Sequence, residues 1–164
     1  GYITNVNFKF NNMLKFKKAQ NGDEEILKNI AVRAFQDDKD KYGSFPPGIN
    51  FVDWHKSQIH SGMYYKILFK NMIIGGIRLF DKNNGHYRLG AIFISPDYQN
   101  KGIGHKAIEF IENLYPNAKK WSLDTPYQNY RNHYFYEKHG YVKVGEVQPN
   151  KEDDFYLFLY EKEK

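Results

Sequence analysis

The chain has no cysteine among its 164 residues. That excludes a disulfide framework, a cysteine nucleophile and a thiolate metal ligand. It agrees with a reducing compartment, so a cytoplasmic location is the expectation. No apolar run approaches the roughly 20 residues that a membrane-crossing helix needs. No basic-then-apolar leader opens the chain, and no membrane partner is expected. There is no internal repeat and no low-complexity linker. Positive charge is in excess, +5 net, but the Lys and Arg residues are scattered rather than gathered in one block. A nucleic-acid-binding domain needs a basic stripe or patch, so nucleic acid is not expected as a partner. The six histidines do not suggest a metal centre. His55 and His60 are five apart and His133 and His139 six apart, spacings that keep the paired rings off one helical face. No metal is therefore expected, and no Ser-His-Asp order stands out.

What the chain does have is aromatic residues: 14 Tyr, 13 Phe and 2 Trp. Its length suggests one domain, able to bury about two-thirds of its unfolded surface. The single domain is expected over residues 13–164, with Met13 as a plausible native start. Residues 1–12 then form an N-terminal extension or a tag-derived segment, in which Val6 to Phe10 alternates like an edge strand.

Periodicity predicts the elements. Leu14 to Lys18 is a strand. Asn21 and Glu24 have capping-box spacing ahead of a helical stripe of Ile26, Leu27, Ile30, Ala31, Ala34 and Phe35, with a charged end at Asp37 to Lys41. A Gly- and Pro-marked loop follows from Tyr42 to Gly48, then a shorter helix over Phe51 to Ile59. Tyr64 to Phe69, Met72 to Phe80 and His86 to Ile94 read as three strands, with Gly75-Gly76 marking a bulge or a close backbone approach. Ile103, Ala107, Ile108, Ile111 and Leu114 have helical spacing, and Pro116 stops that helix. Lys120 to Asp124 is a strand. Asn129 to His139 is a helix with Gly140 as its cap, and Tyr141 to Val147 and Phe155 to Tyr160 are closing strands. The fold class is α+β: a mixed, mostly antiparallel sheet with a central βαβ unit around Ile94 to Asp124 and helices on both faces.

The stretch from Ile92 to Ala107 carries the chemistry. A strand ends at Ile94, Pro96 forbids its continuation, and a helix opens behind Gln99-Asn100-Lys101-Gly102-Ile103-Gly104. Glycine lets a ligand approach the backbone. The first N–H groups of a helix lack internal partners, and the helix dipole adds about half a positive charge there. Together these make an anion site suited to phosphate, to which Lys101, His105 and Lys106 add donors. The alternative is a tight turn whose glycines only permit the bend.

Gln99-x-x-Gly102-x-Gly104, set behind that strand, resembles the acyl-CoA motif of the GNAT N-acetyltransferase superfamily. A second element, Asn129 followed by Tyr136, Gly140 and Tyr141, resembles the family's downstream pattern. The resemblance runs from about Leu14 to Lys162 and implies the GNAT fold, acetyl-CoA as co-substrate and transfer of acetyl to an amine. It implies that Gln99, Asn100, Lys101, Gly102, Ile103 and Gly104 hold the pyrophosphate. Backbone groups of Ile92, Phe93 and Ile94 would pair with the pantetheine arm, which Asn129 also meets. Asn129 is equally an N-cap by residue type. Asn132 stands where the family has a small residue, either beside the cofactor or facing solvent. Tyr136 matches the tyrosine that protonates the departing thiolate; its alternative is a core role in an aromatic helix.

The family's usual glutamate base has no counterpart, since the matching position falls near Gly90, beside Arg88 and Ala91. Asp124 is the best remaining carboxylate, unless it only forms the turn before Pro126. His133 and Asp53 are weaker candidates. The acceptor is expected to be a small-molecule amine or a protein amino group. Tyr42, Phe45, Phe51 and Trp54 either wall its pocket or pack a loop, and homodimerisation is left open. The competing readings are an acyl-CoA-binding module of this fold without catalysis and, less favoured, a basic nucleic-acid-binding domain.

Overall fold

Strands form where apolar residues alternate, and helices where they recur at three and four. The computed structural model describes residues 12–164; the alternating segment Val6 to Phe10 lies outside the described residues. In chain order these comprise β1 (Leu14–Lys18), α1 (Glu24–Ala34), α2 (Gln36–Tyr42), α3 (Val52–Ser61), β2 (Tyr64–Phe69), β3 (Met72–Asp81) and β4 (His86–Ile94). After a 3-10 turn (Pro96–Tyr98) come α4 (Ile103–Leu114), β5 (Lys120–Pro126), α5 (Tyr130–Lys138), β6 (Val142–Val147) and β7 (Leu157–Glu163). The strands have the order β1-β2-β3-β4-β5-β7-β6. Pairing is antiparallel at β1–β2, β2–β3, β5–β7 and β7–β6, and parallel at β4–β5. This is the expected α+β class with a mostly antiparallel sheet. No helix of the described residues is long and apolar enough to cross a membrane.

The contacts divide the chain into two compact units. One is built on residues 12–78 together with Ala91–Leu114, the other on Leu79–Gly90 with Tyr115–Lys164. In the first, Leu27, Ile30 and Ala31 of α1 and Ile59 of α3 form a core with Ile49, Tyr64 and Phe93. Consecutive strand residues point to opposite faces. Tyr64 accordingly joins this core while Tyr65 meets Phe110 of α4, whose ring also stacks on Phe16 at 4.7 Å. In this unit helices therefore cover both faces. The glycine pair in β3 has both predicted functions. The β2–β3 register slips between Ile67, paired with Gly75, and Leu68, paired with Ile73, so that Ile74 beside Gly75 is the extra residue of a bulge. A Cβ on Gly75 would run into the Phe93 carbonyl oxygen, and one on Gly76 into the Phe93 ring.

In the second unit Trp121 and Leu123 of β5 are buried with Tyr141 and Tyr160. Tyr87 lies 5.3 Å and Tyr115 6.2 Å from the Trp121 ring. Burying side chains of this size stabilises by about 1.5–3 kcal/mol each.

Several boundaries differ from the sequence expectation. The first long helix breaks at Phe35, which leaves helical geometry at φ −100°, ψ 11°. Its ring turns to Phe93, at 6.3 Å, and Asp37 and Asp38 favour a fresh helix start just behind it. The capping box of Asn21 and Glu24 does not form. Asp23 stands at the N-cap position, and its carboxylate is held by Lys66 at 2.8 Å and by the Gln20 N–H at 2.9 Å. Glu24 takes the Gly22 N–H instead. β5 runs on to Pro126. β7 starts at Leu157, because Phe155 and Tyr156 are spent in a clasp with Tyr127: both rings lie at 6.1 Å, and the Tyr127 N–H donates to the Tyr156 carbonyl.

Candidate active site

The first unit holds the loop that the sequence marks as a candidate anion site. β4 delivers the chain to Ile94, and the Ser95 N–H donates to the Ile74 carbonyl at 2.7 Å, anchoring the strand end. Phe93 is buried, whereas Ile92 and Ile94 are partly exposed. The Pro96–Tyr98 turn closes through the Tyr98 N–H to the Ser95 carbonyl, and Arg33 pairs with Asp97 at 3.1 Å. Gln99 then reaches back: its Nε2–H donates to the Ile94 carbonyl at 3.0 Å. That side chain closes the loop on the strand, a structural job alongside the ligand role assigned to it from sequence.

Asn100 and Gly102 both take left-handed backbone, at φ 61° and φ 79°, with Lys101 between them. Left-handed residues alternating with right-handed ones turn successive N–H groups toward one concave side, and two left-handed residues flank Lys101 here. The first helical bond of α4 runs from the Lys106 N–H to the Gly102 carbonyl, so the N–H groups ahead of it are oriented out of the helix start. The space a Gly102 side chain would occupy is open. Glycine is needed there by its φ and leaves the loop uncovered. Two of the predicted extra donors are engaged elsewhere. His105 Nε2 lies 2.7 Å and Lys106 Nζ 3.5 Å from Glu109, one turn along the helix.

The second unit supplies a polar end to β5 and the inner face of α5. Asp124 is not a solitary carboxylate, because Arg88 Nη2 donates to its Oδ2 at 2.6 Å. Each is about one-third exposed. Asn129 caps α5: its side-chain oxygen accepts the Asn132 N–H at 3.0 Å. The N-cap reading of Asn129 is thus realised. Asn132 is half-buried, its Nδ2–H donating to the hydroxyl of buried Thr125 at 3.1 Å. His133 is structural, stacked on Phe158 at 4.9 Å with Nε2 at 3.0 Å from the Pro126 carbonyl. Tyr136 is buried, with Tyr141 at 5.6 Å. Burial first, and then the negative charge of Asp124, push its phenol well above its ordinary range. No hydrogen bond contributes to that shift. It stays protonated throughout the neutral range.

The aromatic residues expected near an acceptor divide. Trp54 covers Gly48, where its ring fills the position of a Cβ, and Phe45 and Trp54 pack on the core of the first unit. Phe51 remains 62% exposed. Asp53 is exposed in the first turn of α3.

Two arrangements escaped the sequence reading. The Arg88–Asp124 pair joins residues 36 positions apart; alternation along β4 and β5 was the only signal for it. His55 is fully buried, with Nδ1 at 2.8 Å from the Tyr64 hydroxyl and Nε2 at 2.8 Å from the Ile49 carbonyl. Its place on the apolar stripe of α3 with Ile59 was the available sign.

The family model described as "Acetyltransferase (GNAT) family" matches residues 25–141. A 74-residue stretch is 38% identical to YrkN, an uncharacterized protein of Bacillus subtilis (strain 168), covering 44% of this chain and 40% of that protein. The match thus spans two-fifths of the length of this curated relative. The fold is similar to that of the ribosomal-protein-S18-alanine N-acetyltransferase from Escherichia coli, with a TM-score of 0.73 and 15% identity over 92% of this chain and 94% of that one. It is similar also to the PaiA N-acetyltransferase from Thermoplasma acidophilum in complex with coenzyme A, with a TM-score of 0.71 and 17% identity over 92% of this chain and 99% of that one.

Proposed function

Because this chain belongs to the acetyltransferase (GNAT) family, whose fold uses acetyl-CoA, we propose that it moves acetyl directly from acetyl-CoA to a primary amine of a small molecule or a protein, the small molecule being favoured. The observation that carries the reading is the loop at the start of α4: two left-handed residues, open space over Gly102 and outward N–H groups. We assign the pyrophosphate to the backbone of residues 99–104, and the pantetheine arm to the main chain of Ile92, Phe93 and Ile94 with Asn129 and Asn132.

In the chemical step the amine lone pair attacks the thioester carbonyl, the C–S bond breaks, the departing thiolate is met by the Tyr136 hydroxyl, and the proton that nitrogen sheds on becoming an amide passes through water to the thiolate, giving free thiol. A phenol pushed above its usual pKa of about 10 cannot hand its proton outright to a thiolate whose acid has a pKa near 8.5. Its contribution is a hydrogen bond to developing negative charge, worth about 1.5–3 kcal/mol.

The proton on the amine is the harder problem. A carboxylate of ordinary pKa taking it directly from an ammonium faces a gap of about 6 units, roughly 8–9 kcal/mol. Entry of the neutral amine at pH 7 costs only about 4–5 kcal/mol. The amine therefore reacts as the free base, its proton having gone to water. Asp124, held by Arg88, serves by offering the entering amine a hydrogen-bond acceptor.

The test is calorimetric titration of acetyl-CoA into the protein. A micromolar, one-to-one signal is expected, lost when Gly102 and Gly104 are both replaced by valine. No heat up to millimolar acetyl-CoA sinks the reading. One observation favours a second reading, an acyl-CoA binder without catalysis: Asp124, the one carboxylate proposed for the site, is already paired with Arg88. Acetyl-CoA binding without thiol release across a panel of amines would select it.

A further inference from the structure

β6 is the last strand in the order, so its outer edge has no strand partner among the described residues. It is open on both sides, with Val142 63%, Val144 55% and Val147 42% exposed. An edge like this is a template for another chain. Its sequence is Val142-Lys143-Val144-Gly145-Glu146-Val147. Read outward from its centre, it is complementary to its own reverse. Lys143 and Glu146 stand at equal distances with opposite charges, and Val142 and Val147 do so as an apolar pair.

A regular strand could not use that symmetry. Antiparallel strands related by a two-fold axis bring residues of the same face opposite one another. Residues three or five apart lie on opposite faces of a regular strand. In β6 a bulge changes the parity. The register with β7 runs Val142 to Glu161 and Lys143 to Tyr160, then resumes at Gly145 to Leu159, Glu146 to Phe158 and Val147 to Leu157. Val144 is the extra residue. Val142, Gly145 and Val147 therefore share one face, and Lys143 and Glu146 share the other. The 2.6 Å separation of Lys143 Nζ from Glu146 Oε1 follows from this, as does the seat of Lys143 over the Phe158 ring at 3.5 Å.

We propose that two copies of this chain join by antiparallel pairing of β6 about a two-fold axis between Val144 and Gly145. Lys143 of each copy faces Glu146 of the other on one side of the sheet, and Val142 faces Val147 on the other. The occupant is a second copy because the edge is complementary to itself in both charge and apolar contact. The backbone ladder and the valine pairs hold the strands together. The exposed charges add little energy but select this register over its neighbours. A lysine and a bulge usually guard an edge strand; here the bulge is what makes the self-complementary register available.

Sedimentation of the full chain over a range of concentrations tests this independently of any activity. The expected result is a rise from the 19.5 kDa monomer towards twice that mass. Lys143→Glu and Glu146→Lys should each weaken the dimer at least tenfold, with unchanged circular dichroism. An equimolar mixture of the two variants should restore it, because an acidic strand then meets a basic one. If the 143–146 pair acts only within one chain, mixing restores nothing, and the proposal fails. It fails equally if the unaltered chain stays monomeric at every concentration, or if the reversals leave the dimer intact. Should either reversal unfold the chain, hydrogen exchange of the unaltered protein decides: β6 amides gain protection with concentration if the pairing exists and keep constant rates if it does not.

Discussion

Tyr136 combines a buried ring with a phenol that burial and the Asp124 charge hold in its protonated form. If the hydroxyl serves the departing thiolate, removing it costs rate and little else. Tyr136→Phe is expected to lower kcat about 10- to 100-fold, the equivalent of one charge-assisted hydrogen bond. The acetyl-CoA Kd and the denaturant midpoint should hardly move, because no hydrogen bond within the protein is lost. Steady-state kinetics beside urea melts will separate these effects, and a large loss of stability would make the residue structural instead. His55 gives a second prediction at this scale. Burial lowers its pKa, so the folded state keeps it neutral while the unfolded chain, with a pKa near 6.5, takes up a proton first. Where the unfolded state binds more protons, stability falls as pH falls. The contribution is intact above pH 6.5 and is lost progressively below it. Between pH 7.5 and 5.5 the unaltered protein should lose stability that His55→Gln does not lose, as read by guanidinium melts at the two pH values.

Among the elements, two glycines that look alike in sequence carry different burdens. Gly75 belongs to the β3 bulge, and a Cβ there collides with a backbone carbonyl, which cannot step aside as a side-chain tip can. Gly102 has open space around it but left-handed backbone. Gly75→Ala should therefore cost stability by about 2–4 kcal/mol, in the range of buried steric conflicts. Gly102→Ala should cost only about 1–2 kcal/mol, the penalty for placing Cβ in that conformation. The order reverses for the ligand: Gly102→Ala should weaken acetyl-CoA binding more than Gly75→Ala does among folded molecules. Urea unfolding and calorimetry on the two variants check both halves.

For the whole molecule, a ligand held only by the native state shifts the unfolding equilibrium by mass action. Acetyl-CoA at 100 times its Kd should add about 2.7 kcal/mol. For a chain of this size that is a rise in Tm of roughly 5–10 °C. Differential scanning calorimetry at increasing acetyl-CoA reads it directly. A Tm that ignores acetyl-CoA but climbs with other acyl-CoA species would change the donor and keep the loop. The net charge of +5 should make the same binding weaker as salt rises, since the phosphates are drawn partly by charges that salt screens.

Local rules were enough for much of this protein. Pro96, the glycines of the loop and the apolar stripe from Ile103 to Leu114 specify a strand, a turn and a helix start that depend only on neighbours in the chain, and those elements formed where these residues put them. Asn129 at the head of α5 was legible for the same reason. What only the tertiary structure decided involves partners far apart in sequence. Phe35 breaks a helix to reach Phe93. Asp23 leaves the helix N–H groups for Lys66. Asp124 is claimed by Arg88, whose approach requires β4 and β5 to lie side by side in parallel. The bulge that puts Lys143 and Glu146 on one face of β6 depends on its register with β7. Sequence spacing reports which groups can meet along one element. Which groups do meet across elements depends on the competition for burial and charge among all of them, and that competition is settled only when the chain has packed.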